Sequence, residues 1–263
     1  SLDDGTETPH GALKLRVVAV SHHSDSLFHF QLERDPGFRF RSGEFAMLGL
    51  PLGGVPFRAY SIASAVWDDT LSFYSVKVPN GPLTSQLQYL RPGDSVLLKR
   101  KTTGSLVCDN LRPGTRLVLL STGTGVAPFA SLVLDPAVYD QFESVVLVHG
   151  CRTEADLRFA HELEARIRDD RLVDSVVQGR FRLVTTTTRE LGHPSRRITD
   201  LLYDGSWHRG LAQPALDSRV DRVMICGSRA MLKDTRLHIE ALGFDEGTRT
   251  RPGSYVVERA FVD

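Results

Sequence analysis

The chain has 263 residues, of which 41% are hydrophobic and 24% are charged. This composition is ordinary for a globular chain, and it excludes a disordered tail, a collagen-like fibre and a disulfide miniprotein. Lys and Arg together number 32, as do Asp and Glu, so no overall field draws the chain to nucleic acid. At about 150 residues per domain, the length predicts two domains.

The three cysteines, Cys108, Cys151 and Cys226, are far apart and form no C-x-x-C pair. A zinc site, a protein-bound iron–sulfur cluster and a secreted disulfide framework are therefore not expected. The acidic start at residues 1–5 lacks the pattern of a signal peptide, and no apolar stretch approaches the ~20 residues of a membrane span. We expect a cytoplasmic monomer that binds no metal, membrane or nucleic acid.

The first part of the chain, residues 13–101, is predicted to consist of short strands. Polar and apolar residues alternate over residues 13–17, 27–34 and 73–78, and turn-forming Pro, Gly and Asn separate these segments. Such spacing is typical of a closed antiparallel β-barrel. One short helix is predicted at residues 82–90, where proline opens the helix without losing a hydrogen bond.

After residue 114 the periodicity changes. Residues 116–120 and 145–148 are nearly continuous apolar runs, which indicate strands buried on both faces. Helical stripes follow over residues 154–168 (Leu157, Ala160, Leu163, Ile167) and 228–242 (Leu232, Ile239, Leu242). Repeated strand–turn–helix units predict a parallel α/β sheet. The fold class is therefore two domains: an antiparallel β-barrel followed by an α/β domain of the nucleotide-binding type.

A glycine-rich turn follows the first of these buried strands. Residues 121–128 read Ser-Thr-Gly-Thr-Gly-Val-Ala-Pro and lead into a predicted helix, where backbone N–H groups can bind a dinucleotide phosphate. The pattern is G-x-G-x-x-P and departs from the G-x-G-x-x-G fingerprint. By itself this motif leaves two interpretations open, a phosphate site or a tight strand-to-helix turn.

Basic residues recur at turns that follow the predicted strands. They are Arg152, Arg189 and the pair Arg196 and Arg197, and no acidic residue stands where NAD enzymes hold the ribose hydroxyl. Arginines at such positions favour NADP, whose 2′-phosphate a guanidinium binds well. For any single arginine, a solvated surface side chain is the alternative.

The barrel part contains two further candidate segments. Residues 58–64 place Arg58 and Tyr60 on one face of a strand, where a guanidinium can bind phosphate and an aromatic ring can stack on a flavin. Residues 81–85 offer a helix start with the hydroxyls of Thr84 and Ser85. The alternatives are a buried tyrosine in a strand and an ordinary capped helix.

Five segments together resemble the bacterial ferredoxin–NADP(H) reductases. They are residues 58–61 (Arg-Ala-Tyr-Ser), 81–85 (Gly-Pro-Leu-Thr-Ser), 123–128 (Gly-Thr-Gly-Val-Ala-Pro), 224–228 (Met-Ile-Cys-Gly-Ser) and 257–262 (Val-Glu-Arg-Ala-Phe-Val). The resemblance covers residues 13–263, and the order of the five motifs makes it specific. The Ala-Phe-Val tail is a feature of the bacterial type.

The resemblance implies an FAD-binding barrel at residues 1–105 and an NADP(H)-binding domain at residues 112–263, whose C-terminal tail returns to the flavin. Members pass a hydride from NADPH to flavin N5 and release electrons singly to ferredoxin or flavodoxin. Around the reacting centre the resemblance places Ser61, Cys226, Glu258 and Ala260. Their role is orientation and electrostatics, because the redox chemistry belongs to the flavin.

The resemblance also implies the residues that hold each cofactor. For FAD they are Arg58, Ala59, Tyr60, Ser61, Val76, Lys77, Leu83, Thr84, Ser85, Thr124, Ala260 and Phe261. For NADP they are Thr122, Gly123, Arg152, Thr188, Arg189, Arg197, Gly227 and Ser228. The family has glycine where this chain has Arg196, which leaves open whether Arg196 or Arg197 contacts the 2′-phosphate.

Two other functions compete with this one. A stand-alone FAD reductase component for an oxygenase or a cytochrome-type acceptor would share most of these motifs. A flavin-binding subunit that does not turn over would keep the fold alone, although Cys226 and Glu258 disfavour it.

Overall fold

The computed structural model describes residues 11–52, 54 and 56–260. Six antiparallel strands form the first sheet, in the order β4-β3-β6-β1-β2-β5. An antiparallel bridge between Ile62 and Phe73 joins the outer strands and nearly closes a barrel, as predicted. The strands are β1 (Leu13–His22), β2 (Leu27–Glu33), β3 (Phe45–Gly49), β4 (Arg58–Ser61), β5 (Thr70–Val76) and β6 (Ser95–Leu98).

Alternation along the strands builds the barrel core. On β2, Phe28, Phe30 and Leu32 are fully buried, and the residues between them are partly exposed. Phe30 stacks on Phe73 of β5 with ring centroids 5.5 Å apart. These residues face inward because successive side chains of a strand point to opposite faces of the sheet.

The helix predicted at residues 82–90 is shorter than expected. The structure has an α-helix, α1, only at Thr84–Leu87, and Tyr89 and Leu90 continue the segment with N–H bonds to residues three positions earlier. Pro92 disfavours helical backbone at the residue before it, which ends the segment at Arg91. Leu87 is fully buried and anchors this segment on the barrel core.

Five parallel strands form the second sheet, in the order β11-β10-β7-β8-β9. On β7, Leu117 and Leu119 pack into one core cluster, and Val118 and Leu120 into another on the opposite face. This arrangement confirms that the continuous apolar runs are strands buried on both faces. The strands are β7 (Arg116–Thr122), β8 (Ser144–Cys151), β9 (Phe181–Thr187), β10 (Asp221–Gly227) and β11 (Tyr255–Arg259).

Helices cover both faces of the parallel sheet. Apolar residues of α2 to α5 pack into one cluster, and those of α6 to α8 into the other. None of the helices in the described ranges is long and apolar enough to cross a membrane. The helices are α2 (Ala127–Val133), α3 (Pro136–Gln141), α4 (Arg158–Asp169), α5 (Arg171–Val177), α6 (Ile198–Asp204), α7 (Ser206–Arg209) and α8 (Arg229–Ala241).

The predicted helical stripes agree with the structure to different degrees. All four stripe residues of the segment that contains α4 are buried, which confirms that stripe. On α8, however, Leu242 is exposed and Leu232 is only half-buried. The buried face is formed by Met231, Thr235 and Ile239. The prediction is confirmed for Ile239 and wrong for Leu242, because it counted apolar residues only and the inner face includes a threonine at helical spacing.

The two sheets pack against each other through side chains far apart in sequence. Tyr74 of β5 stacks on Phe159 of α4, with ring centroids 4.4 Å apart and planes inclined by 11°. Arg166 of α4 forms a bidentate pair with Asp68 at 2.7 and 3.0 Å. This interface brings the β2–β5 edge of the barrel to the start of α4, beside the carboxyl ends of the parallel strands.

Candidate active site

A cavity of about 550 Å³ lies at the carboxyl edge of the parallel sheet. Thr122 and Gly123 line it from the end of β7, and Leu27 and Val76 line it from the barrel. Ala260, the residue after β11, completes the wall between them. The cavity therefore lies between the two sheets, in the crevice outside the strand ends where open α/β sheets bind their ligands.

The turn after β7 is built as a glycine cradle. Gly123 has a φ of +56°, and a Cβ added there would contact nothing within 4 Å. A Cβ on Gly125 would lie 2.2 Å from the carbonyl oxygen of Cys226, so this turn packs directly on β10. A Cβ on Gly227 would lie 2.4 Å from Oγ1 of Thr122. The bare backbone fits the close approach of a phosphate.

Two of the predicted arginines line the cavity and two do not. Arg152, directly after β8, and Arg197, before α6, belong to the lining. The guanidinium of Arg196 instead pairs with Asp204. Arg189 is exposed outside the lining, although its N–H donates to the carbonyl oxygen of Arg152 at 2.7 Å. Of the open pair, Arg197 is thus the one that belongs to the cavity lining.

Other residues predicted for NADP divide in the same way. Gly227 lies outside the lining, and its lack of a side chain leaves room for Thr122, which belongs to the lining. Thr188 is held by its N–H, which donates to the carbonyl oxygen of Cys151 at 3.0 Å. The predicted residues that line the cavity are Thr122, Gly123, Arg152, Thr188, Arg197 and Ser228.

A buried chain of side chains ties the ends of β7 and β8 together. Nδ1 of His149 lies 2.8 Å from Oγ of Ser121, and its Nε2 lies 3.2 Å from Sγ of Cys151. Burial lowers the pKa of His149 to about 4 and raises that of Cys151 to about 12. At neutral pH both groups are therefore uncharged, and they fix the two strand ends that carry Thr122 and Arg152.

The carboxyl group of Glu258 lies two residues before Ala260 of the cavity wall. Glu258 of β11 pairs in register with Cys226 of β10, and its Oε2 accepts hydrogen bonds from N and Oγ of Ser105 at 2.9 and 3.1 Å. Burial raises the pKa of Glu258 to about 7, and burial with the nearby Glu258 raises that of Cys226 well above its usual range. The other oxygen, Oε1, is buried without a hydrogen-bond partner among the described residues.

The end of β4 lies near this carboxyl. The N–H of Ile62, the residue after Ser61, donates to the carbonyl oxygen of Glu44 at 3.1 Å. A Cβ on Gly104 would lie 3.3 Å from both Glu44 Cα and Glu258 Oε2, so Gly104 is a thin spacer between the two. The structure thus brings Cys226 and Glu258 together, while Ser61 lies at the end of β4 and pairs with Phe45 of β3.

The residues predicted for FAD lie mainly on the barrel. Tyr60 is buried in the barrel core, and its hydroxyl accepts a hydrogen bond from Ser75 at 3.3 Å. Lys77 donates from Nζ to the carbonyl oxygen of Ser24 at 2.8 Å. Thr84 is also buried. Two of the others, Arg58 and Ala59, lie on β4, and two, Leu83 and Ser85, lie at α1. The cavity is lined by Val76, Thr124 and Ala260. Phe261 is outside the described residues.

The sequence analysis missed two residues that this site depends on. Ser105 holds Glu258, and Asp156 accepts at Oδ1 a hydrogen bond from Ser26 of the barrel at 3.3 Å. Oδ2 of Asp156 also receives the N–H of Thr153 at 3.2 Å. The contacts of Ser105 with Glu258 and of Ser26 with Asp156 join residues 130 or more positions apart, and no local motif signals them.

Comparison with known proteins agrees with this geometry. Residues 119–237 match the family model described as the oxidoreductase NAD-binding domain. The chain is 48% identical to "Ferredoxin--NADP reductase A" of Sorangium cellulosum, over 93% of this chain and 88% of the relative. It is 46% identical to "Flavodoxin/ferredoxin--NADP reductase" of Rhodobacter capsulatus, over 94% of this chain and 92% of the relative.

A solved structure supports the same relationship. The ferredoxin NADP+ reductase of Neisseria gonorrhoeae, whose crystal structure contains FAD and NADP, superposes with a TM-score of 0.84. It is 32% identical and covers 95% of this chain and 99% of its own. The two-sheet architecture, the cavity between the sheets and these relatives agree. The chain belongs to the family of ferredoxin–NADP reductases.

Proposed function

We propose that this protein is an FAD-dependent reductase that moves electrons between NADP(H) and a one-electron carrier, ferredoxin or flavodoxin. The observation that carries the proposal is the cavity, which runs from the glycine cradle after β7 to barrel residues Leu27 and Val76. The names of the relatives favour this activity over an oxygenase component or a subunit without turnover.

The two parts of the chain would hold the two cofactors. We assign FAD to residues 1–105 and NADP(H) to residues 112–263. This division is supported by the gap between the last barrel strand, which ends at Leu98, and the parallel sheet, which begins at Arg116. The FAD residues proposed above cluster on β4, at α1 and at the cavity rim, and those for NADP cluster at the ends of β7 to β10.

The hydrogen-bond donors that line the cavity suit the phosphate groups of a dinucleotide. Arg152 and Arg197 supply two guanidinium groups, which suit bidentate binding of phosphate. The turn at Gly123 offers backbone N–H groups without a side chain in the way. Arg197 is therefore the residue we assign to the 2′-phosphate, with Arg152 beside it.

The residues around Glu258 would serve the reacting centre. The chemistry that bound FAD would supply is the conversion of one two-electron transfer into two one-electron transfers. Glu258, with a pKa near 7, can hold or release a proton at neutral pH. Cys226 stays protonated and packs against the site as a small uncharged group. Ser61 and Ala260 would orient the two rings.

The carrier and the setting belong to this proposal as well. Both ferredoxin and flavodoxin occur in the names of the relatives, and we propose that either serves here. A reducing, cytoplasmic setting is supported by Cys108, Cys151 and Cys226, which are all free thiols. We further propose that the protein acts as a monomer, since the proposed cofactor residues all come from one chain.

The test is the visible absorption spectrum of the purified protein before and after anaerobic addition of NADPH, with NADH as the control. A flavin spectrum that NADPH bleaches and NADH leaves nearly unchanged supports the reductase and its cofactor preference. A spectrum that neither nucleotide changes supports a subunit without turnover. No flavin binding, even after added FAD, contradicts the proposal.

A further inference from the structure

A serine from the segment between the two sheets meets Glu258 of β11. The N–H of Ser105 donates to Glu258 Oε2 at 2.9 Å, and its Oγ lies 3.1 Å from the same oxygen. The same Oγ also donates to the carbonyl oxygen of Val257 at 2.7 Å. The N–H of Ser105 is thus fixed on Oε2, and the single hydrogen of its hydroxyl has two acceptors within reach, Val257 O and Glu258 Oε2.

The segment that carries Ser105 is fixed on both sides. Nδ2 of Asn110 donates to the carbonyl oxygen of Ser105 at 2.9 Å, and the side chain of Leu106 is fully buried. Before it, Thr103 and Phe45 exchange two backbone hydrogen bonds at 2.8 and 3.2 Å. The peptide N–H of Ser105 is therefore a preorganised donor that does not depend on a mobile loop.

The two oxygens of Glu258 are not equivalent as a result. Oε2 already accepts a fixed N–H, so a proton on the carboxyl group belongs on Oε1, which is buried without a partner among the described residues. An unpartnered buried polar atom is costly, and a bare carboxylate oxygen is more costly than the O–H of a neutral carboxyl group. Oε1 is thus the oxygen at which this carboxyl can hold a proton for the site.

We infer that Ser105 is a positioning residue for Glu258: it holds Oε2 with two donors and leaves Oε1 as the oxygen that holds and releases the proton. The hydroxyl has a single hydrogen and two acceptors within reach, Val257 O and Glu258 Oε2. It donates to the carbonyl when Glu258 is neutral and to the carboxylate when Glu258 is ionised. The inference rests on the proposed function in so far as it assigns the proton to the reductase reaction.

Of the groups packed around Glu258, Ser105 is the one that donates hydrogen bonds to its carboxyl group. Cys226 faces it from β10 and keeps its proton. Glu44 approaches behind Gly104, and its carboxylate is compensated by Arg41 at 3.2 Å and by the hydroxyl of Thr102 at 2.7 Å. The next residue on the strand, Arg259, is exposed. Burial raises the pKa of Glu258, and the two hydrogen bonds from Ser105 oppose that rise.

The test follows the ¹³C signal of the Glu258 side-chain carboxyl during a pH titration of the flavin-loaded protein, with Glu258→Gln to identify the signal. We expect a midpoint near 7 in the unaltered protein. In Ser105→Ala the hydroxyl donor is lost, and the midpoint moves up by about one pH unit, the equivalent of one hydrogen bond to a charged group. Ser105→Thr keeps the hydroxyl and returns the midpoint close to 7.

The acid limb of the pH profile of NADPH oxidation should move with these midpoints, whereas a merely structural role would lower turnover at all pH values alike. A Glu258 midpoint that is the same in Ser105→Ala, or equally displaced in Ser105→Thr, overturns the inference. The amide signal of Ser105 in the unaltered protein gives a test without any variant. It must titrate with the Glu258 midpoint, and an amide that does not titrate also overturns the inference.

The same measurements distinguish a failure of the positioning role from a failure of the proposed reductase function. If NADPH fails to bleach the flavin but the Ser105 and Glu258 signals titrate together, Ser105 positions the carboxyl and the reductase activity is refuted. If NADPH bleaches the flavin and the Ser105 signals do not follow Glu258, the activity stands and the positioning role is refuted.

Discussion

The neighbouring arginines 196 and 197 allow a sharp test of how the cavity selects its nucleotide. Arg197 lines the cavity, and the guanidinium of Arg196 is engaged with Asp204. A hydrogen bond to a charged group contributes roughly 1.5 to 3 kcal/mol. Arg197→Ala should therefore weaken NADP+ binding about 10- to 150-fold. Binding of NAD+, which has no 2′-phosphate, should stay nearly the same.

The assay is a titration of the flavin-loaded protein with NADP+ and NAD+, followed by the difference absorption spectrum. Arg196→Ala is the matched control, and it removes a guanidinium one position away. Its pair with Asp204 is solvent-accessible, and such pairs contribute little to stability, so we expect little change in either affinity. The effect of Arg197→Ala should also shrink at high salt, because the charges at an open cavity are screened.

Two results would refute the reasoning. One is a loss of NADP+ affinity in Arg196→Ala with none in Arg197→Ala, which would mean that the pair with Asp204 opens to the ligand. The other is a full loss in Arg189→Ala alone, which would place the phosphate outside the cavity described here.

Three further predictions concern stability and are measured by chemical denaturation. Gly125→Ala should lower the free energy of unfolding by about 3 kcal/mol or more, because its Cβ would lie 2.2 Å from a backbone carbonyl oxygen. Gly123→Ala should lower it by only about 1 to 2 kcal/mol, because its φ is +56° and its Cβ would contact nothing. Equal losses would contradict the packing argument. Asp221→Asn should cost roughly 3 to 5 kcal/mol, because it breaks the buried pair whose two contacts to Arg116 measure 2.7 and 2.8 Å; a neutral effect would show that Arg116 finds other partners. The pKa of Glu258 is near 7 in the folded protein against an ordinary 4.5, so the folded state binds its proton more tightly than the unfolded state. The stability that this proton contributes is therefore fully present below pH 4.5, and the free energy of unfolding falls as the pH rises to 7. Glu258→Gln should remove this loss of about 3 kcal/mol, and an unchanged pH dependence of unfolding would show that the carboxyl is not perturbed.

Much of the architecture could be predicted from periodicity alone. The change from alternating strands to apolar runs separates the barrel from the parallel sheet, and both sheets formed as expected. The predictions were less accurate where local patterns compete. The segment at residues 82–90 contains only the short α1, and the inner face of α8 includes Thr235 in place of Leu242.

Site residues on local motifs were also within reach of the sequence. Thr122 and Gly123 stand in a recognisable strand–turn–helix motif, and the structure places them at the cavity. The sequence left the choice between Arg196 and Arg197 open. Only the tertiary structure places Arg197 in the cavity lining and pairs the guanidinium of Arg196 with Asp204 at the end of α6.

The contacts of Glu258 depended on the fold as a whole. Ser105 lies 153 positions before Glu258, and Ser26 lies 130 positions before Asp156, so neither pair leaves a local trace. Secondary structure follows from neighbouring residues, whose spacing the sequence states directly. A long-range hydrogen bond instead depends on the register of strands and the packing of two domains. The sequence therefore determined the elements and the glycine-containing turn after β7, and only the folded chain decided which polar groups meet around Glu258.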